Sequence, residues 1–297
     1  MTQREHGKVA AKTFVVATNP CYERLCRTSV ARLGRGSRDR FHLVSFRSWT
    51  TTPRTPASAA RLTYFVSRLT DISEETAKQT KAAPGARYLL FSAGMPIEAL
   101  ATRLARLDIR DEKRLHLAHE QGDDEVFPVI HRLLRGVAQS DDQSLIVDAW
   151  IEGDNLVVIA PAYQRLVVPL ERLTPFIGDN PAQARSFRID EDGSFLYWKR
   201  GDVHMGWEHL LQLVDPVAAL AAKQKTAQFN RRYGQAIRAL RVERDISQAA
   251  VEGLTDRHLR RIEKGQQAAT LASLQSLATA HGMPLPSYLN ELTHHLK

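Results

Sequence analysis

Residues 237–265 read IRALRVERDISQAAVEGLTDRHLRRIEKG. The basic run Phe229–Arg244, which leads into this stretch, places Tyr233, Ile237, Leu240 and Arg241 at helical spacing. Asp245 and Ile246 break that run. Ser247 is a natural N-cap for a second, short helix, Gln248–Glu252, which Gly253 ends while Leu254 turns inward. Thr255 caps a third helix from Asp256 to about Lys264, and Gly265 stops it. On the third helix Leu259 and Ile262 share an inward face. Asp256, Arg257, Arg260 and Arg261 lie on the others.

Apolar spacing continues downstream. Leu271, Leu274, Leu277 and Ala278 predict a fourth helix, and Leu285, Tyr288, Leu289 and Leu292 a fifth. Residues 225–297 are therefore expected to form a five-helix domain. A tight glycine-centred turn between two short helices is what a helix-turn-helix requires. An exposed helix carrying arginines and a histidine suits the major groove, where Arg bonds bidentately to O6 and N7 of guanine.

The runs Ile-Arg-Ala-Leu-Arg (237–241), Ile-Ser-Gln (246–248) and Leu-Arg-Arg-Ile-Glu-Lys-Gly (259–265) resemble the phage-repressor-like helix-turn-helix family, the Cro/repressor or xenobiotic-response-element type. The resemblance covers roughly residues 229–292. It implies that Gln248 bonds a phosphate, that Thr255 caps the third helix close to the backbone, and that Asp256, Arg257, His258 and Arg261 reach base edges. Arg260 is placed on phosphate, and Glu263 on Arg241 as a structural bridge. Asp256 can accept from cytosine N4 or serve the helix's first turn. The chain departs from the family in one respect. Between Ser247-Gln248 and Glu263 it is about three residues short, nearly one helical turn, and Ala269 stands where a proline is common.

Working toward the N-terminus, residues 145–216 are expected to form a small α/β module of two hairpins and a helix. Leu145–Ile151 and Leu156–Ala160 flank Glu-Gly-Asp-Asn, with Arg165–Pro169 a third strand. Ser186–Ile189 and Phe195–Trp198 flank Asp-Glu-Asp-Gly, and Trp207–Leu213 is helical. The order of Leu166–Leu170, Phe187, Trp198, Gly201 and Asp202 before an apolar helix resembles the bacterial domain-of-unknown-function family numbered 2442, which brings no activity with it. Trp198 and Trp207 are expected in the module's core, with a ligand cage as the alternative. Residues 1–135 read as an α/β region of unassigned role. Thr13–Ala17, Phe41–Phe46 and Tyr88–Ser92 are strands, and Pro96–Leu107 and Val126–Leu134 are helices. The fold class is multidomain α/β.

Charge is unevenly placed. The chain carries a formal +8, with 11 Lys/Arg against 3 Asp/Glu in residues 1–60 and 11 against 6 in residues 225–297, leaving an acidic middle. A basic end beside an acidic middle fits a DNA-binding module joined to something else. The arginines between 24 and 54 read as a second nucleic-acid surface or as a solvated or disordered segment. Residues 22–61 share a transit peptide's composition alone, and a cytoplasmic location is expected. No apolar run is long enough to span a membrane. Cys21 and Cys26 lack a second ligand pair for zinc, and neither P-loop nor G-x-S-x-G occurs. His116-Leu-Ala-His119-Glu120 has the wrong spacing for a zinc helix and is expected on a solvated one. Asp190–Gly193 is expected to be a hairpin turn rather than a calcium loop.

These readings lead to a sequence-specific double-stranded DNA-binding regulator, homodimeric, not an enzyme, and without metal or cofactor. The alternative is an antitoxin or adaptor whose N-terminal region binds a partner protein.

Overall fold

The structure is a computed structural model that describes residues 12–51, 60–81, 83, 85–92, 94–109, 111, 113–118, 123–139 and 144–296. The chain divides into two compact units, with the boundary between Val214 and Asp215.

The first unit begins with β1 (Lys12–Ala17), α1 (Pro20–Arg32), α2 (Arg35–Arg38), β2 (Phe41–Ser45), α3 (Phe46–Thr51), β3 (Ala60–Arg68) and α4 (Glu74–Lys81). It continues through β4 (Ala86–Phe91), α5 (Ile97–Leu107), β5 (Leu115–Ala118) and α6 (Asp123–Gln139). The strands make one parallel sheet ordered β2-β1-β3-β4-β5, a common doubly wound order. Such strands are covered on both faces and must be apolar on both, as Phe14-Val15-Val16 and Tyr88-Leu89-Leu90-Phe91 are. Val15, Tyr64, Leu89 and Phe91 pack on Tyr22 and Cys26 of α1 and on Ile130 and Leu133 of α6. Their neighbours Val16, Phe65, Tyr88 and Leu90 face the other way, toward Ala77 of α4 and Leu100 and Leu107 of α5. Both cysteines are free, and burial, aided by Glu23, pushes the Cys26 thiol up to about 12.

Two expectations change here, and one strand went unread. Residues 20–51 include α1, α2, β2 and α3, so the disordered reading of the arginines from 24 to 47 is set aside, while the solvated one stands, since Arg24, Arg27, Arg32, Arg35, Arg38 and Arg47 are exposed; Arg54 lies outside the described residues. His116 belongs to β5, not to a solvated helix, and is buried against Asp148; His119 and Glu120 lie outside the described residues. Strand β3, with Arg61 and Arg68 near its ends, is concealed by its mixed composition yet pairs on both sides.

Next come β6 (Asp148–Glu152), β7 (Asn155–Ile159) and β8 (Arg165–Pro169), an antiparallel sheet in that order. After α7 (Thr174–Ile177) and α8 (Pro181–Ala184), a second antiparallel sheet contains β9 (Arg188–Ile189), β10 (Leu196–Trp198) and β11 (Val203–Met205), and α9 (Trp207–Val214) closes the unit. Strand β11 was not foreseen. It follows Gly201, whose φ of +90° lets the chain reverse at once. Trp198 and Trp207 are core residues, and the Trp198 indole donates to Ala184 O at 3.1 Å.

Strand β7 shows why residues 1–135 and 145–214 form one unit instead of the two expected. Its alternate residues Leu156 and Val158 enter the core around Trp198. Val157 and Ile159 enter the core built by α1 and α6. The β9–β10 turn is also tied to α6, where Arg135 pairs with Asp192, and to the segment before β6, where Ile146 N donates to Gly193 O at 2.7 Å.

The second unit holds α10 (Pro216–Glu243), a 3-10 turn (Gln248–Ala250), α11 (Asp256–Glu263), α12 (Leu271–Ala280) and α13 (Leu285–His295). Asp215 caps α10 by accepting from Val217 N and Ala218 N, and the helix then runs unbroken for 28 residues. The expected boundary near residue 225 therefore falls inside it. The expected five helices are four α-helices and one 3-10 turn. The seven residues between Ser247 and Thr255 cannot hold both a helix and a turn once Val251 is drawn into the core and Gly253 takes a φ of +82°.

Gly136 on α6 leaves no room for a side chain, because a Cβ there would lie 2.1 Å from Pro161 Cγ. Gly136→Ala is expected to cost about 1–3 kcal/mol, read as a lower urea midpoint of the first unit at unchanged slope.

Candidate nucleic-acid interface

Helix α11 is amphipathic by its spacing. Leu259, Ile262 and Glu263 are buried, and Asp256, Arg257, Arg260, Arg261 and Lys264 are exposed. At 100° per residue, residues 256, 260, 264, 257 and 261 fall on one continuous arc. Thr255 caps the helix, its Oγ1 accepting from His258 N at 3.2 Å. None of Arg257, Arg260, Arg261 and Lys264 forms an ion pair among the described residues.

The flank of α11 beside that arc is held by a buried carboxylate. Arg241 of α10 meets Glu263 with two bonds, Nε to Oε1 at 2.7 Å and Nη2 to Oε2 at 3.2 Å. Its Nη1 donates to Ile246 O at 2.6 Å, and Gln248 Nε2 donates to Glu263 Oε2 at 2.7 Å. One carboxylate thus joins α10, the turn after it and the end of α11. The crossing is close. A Cβ on Gly234 would lie 2.1 Å from Ile262 O, and one on Gly265, at φ +67°, would lie 2.4 Å from Arg231 Cα. Both helices must therefore carry glycine where their backbones meet.

The structure divides the seven sequence-assigned residues. Asp256, Arg257, Arg260 and Arg261 share the exposed arc, and Thr255 stands exposed at its start. Gln248, expected on phosphate, spends an amide hydrogen on Glu263 and is half-buried. His258, expected at a base edge, is half-buried too, with its Nε2 3.0 Å from Gln267 Nε2. Without a second α-helix Gln248 falls beside the Arg241–Glu263 pair. Two residues were missed. Lys264 extends the arc, and exposed Arg231 lies against Gly265 at the end of α11. The 3.6-residue period already placed Lys264 there, whereas Arg231 is 33 positions away in sequence and only the helix crossing brings it in.

Comparison with known protein families, with curated proteins and with solved structures found no match. Among the described residues, no helix is long and apolar enough to cross a membrane, and no group of three or more His, Cys, Asp or Glu side chains could hold a metal ion.

Arg241→Ala leaves the Glu263 carboxylate buried without its cation and is expected to cost about 3–5 kcal/mol. The double change Arg241→Met with Glu263→Leu is expected to recover most of that loss. Thermal unfolding of the intact protein, followed by circular dichroism, checks both.

Proposed function

We propose that this protein is a sequence-specific double-stranded DNA-binding transcriptional regulator, a repressor or autoregulator, that reads the major groove with α11. The observation that carries this reading is the exposed arc of Arg257, Arg260, Arg261 and Lys264, free of carboxylate partners among the described residues, on a helix anchored by a buried ion pair. Guanidinium groups on a rigid helix can meet guanine edges at a defined register, and cations beside them neutralise phosphates. The net +5 of residues 225–297 adds the sequence-independent attraction that any DNA reader needs.

Within this reading Arg257 and Arg261, one turn apart, contact bases, while Arg260, Lys264 and Arg231 contact phosphate. Asp256 accepts from cytosine N4 or supports the first turn of α11. Thr255 sets the start of the helix near the backbone. Gln248 acts through Glu263 as a positioning residue. Modules of this kind dock as dimers on half-sites about one helical turn apart, and a homodimer on a palindrome is the expected assembly.

Selection from pooled oligonucleotides with the intact protein tests the proposal. A single enriched palindrome is expected. Arg257→Ala or Arg261→Ala is expected to cost about 1–3 kcal/mol on that site and to relax one base position. Lys264→Ala is expected to weaken all sequences evenly and to lower the salt slope by about one. Strong, motif-free binding that the arginine variants retain defeats the reading.

A further inference from the structure

Within the first unit, β4, β5 and the antiparallel sheet β6–β8 enclose a cavity of about 980 Å³ that the DNA-binding reading does not use. Its size is that of a small-molecule site. Its wall is aromatic, with Trp150 lying 6.2 Å from the His116 ring at an interplanar angle of 20° and Tyr163 6.0 Å from the same ring. Trp150 is half-buried, so part of its ring is open.

The polar groups of the wall are unevenly matched. His116 Nε2 lies 3.0 Å from Asp148 Oδ2, and Arg165 pairs with Glu152, so both lining carboxylates have partners. Arg87 and Lys113 also line the cavity, and neither has an ion-pair partner among the described residues. Arg87 is oriented by its 2.7 Å bond to the Tyr64 hydroxyl. Tyr163 is 4 % exposed, yet its hydroxyl has no hydrogen-bond partner among the described residues. A buried hydroxyl left unmatched is costly, and such a group marks a site where something else completes the bond. Tyr163 also holds a φ of +63°, uncommon for a bulky residue, in the turn that Ala160 and Gln164 close. Burial, with Tyr64 adding to it and Arg87 opposing it, keeps the Tyr163 phenol well above its usual range, so it remains a donor.

We propose that this cavity binds a small organic anion with a planar ring, its acid group held by Arg87 and the Tyr163 hydroxyl and its ring lying along Trp150. Lys113, exposed at the rim, attracts the same charge. An aromatic carboxylate and a nucleoside monophosphate both carry this chemistry.

Calorimetric and tryptophan-fluorescence titrations of the full chain distinguish them, with 4-hydroxybenzoate and AMP as probes and 4-hydroxybenzamide and adenosine as neutral counterparts. Saturable binding of one acid is expected, with its neutral counterpart at least about tenfold weaker, the worth of one charge-assisted hydrogen bond. Arg87→Ala and Tyr163→Phe are each expected to weaken it by a similar factor, and Lys113→Ala by less. Tyr163→Phe removes a hydroxyl bonded to nothing in the unliganded protein. It therefore keeps the fold, and it decides the matter should Arg87→Ala unfold. No saturable binding of either acid overturns the proposal, as does binding that Tyr163→Phe leaves unchanged. The titrations contain no DNA, so the result is independent of the role of α11.

Discussion

The carboxylate of Glu263 is the point on which the C-terminal unit depends. Taking a charge out of water costs several kcal/mol, and only good geometry and extra hydrogen bonds return that cost. Arg241 supplies a two-bond fork, and Gln248 fills a remaining acceptor site. Because the three residues come from α10, the 3-10 turn and α11, satisfying one charge sets the register of all three. Leu259 and Ile262 of α11 share one apolar core with Ile237 and Leu240 of α10. Apolar packing alone would tolerate some rotation of α11, whereas a bidentate ion pair tolerates little. The exposed arginines are aimed by a bond on the buried flank of their own helix.

The N-terminal unit obeys a different constraint. Its parallel sheet must be covered on both faces, and α6 completes one of them beside α1. That helix in turn receives β7 and the turn around Pro161 on its outer side. The two small antiparallel sheets could not bury their apolar strands alone, and β7 inserts alternate residues into two cores. A cavity remains where the edge strand β5 meets β6 and β8, and its aromatic lining comes from residues distant in sequence: 116, 150 and 163.

Local chemistry made much of this legible. The 3.6-residue period of α11, its Thr255 cap and its Gly265 stop are all present in the sequence, whereas the Arg241–Glu263 pairing was implied only by the resemblance to the phage-repressor-like family. Strands β1 and β4 are continuous apolar runs and stand out for that reason. Strands β3 and β5 do not. Ala60–Arg68 neither alternates strictly nor stays apolar, since Arg61, Thr63, Ser67 and Arg68 flank the short run Tyr64-Phe65-Val66, and Leu115–Ala118 is too short to show a period. Tertiary pairing overrode those weak signals. His116 was misread because a histidine beside alanine and leucine carries no local mark of burial, and Asp148, its partner, is 32 positions away.

What the sequence by itself determined was the set of faces: which side of α11 is basic, which residues cap it, which strands are apolar throughout, and that the charge gathers at the two ends. These follow from neighbours within a few residues, where spacing and side-chain chemistry suffice. What only the tertiary structure decided was the meeting of distant groups. Gln248 turned to a buried carboxylate, Arg231 came to the end of α11, residues 12–214 closed into one unit, and an unmatched tyrosine was placed in a cavity wall. Each depends on packing between elements, and the side chains that meet there are too far apart in the chain for any local pattern to record them.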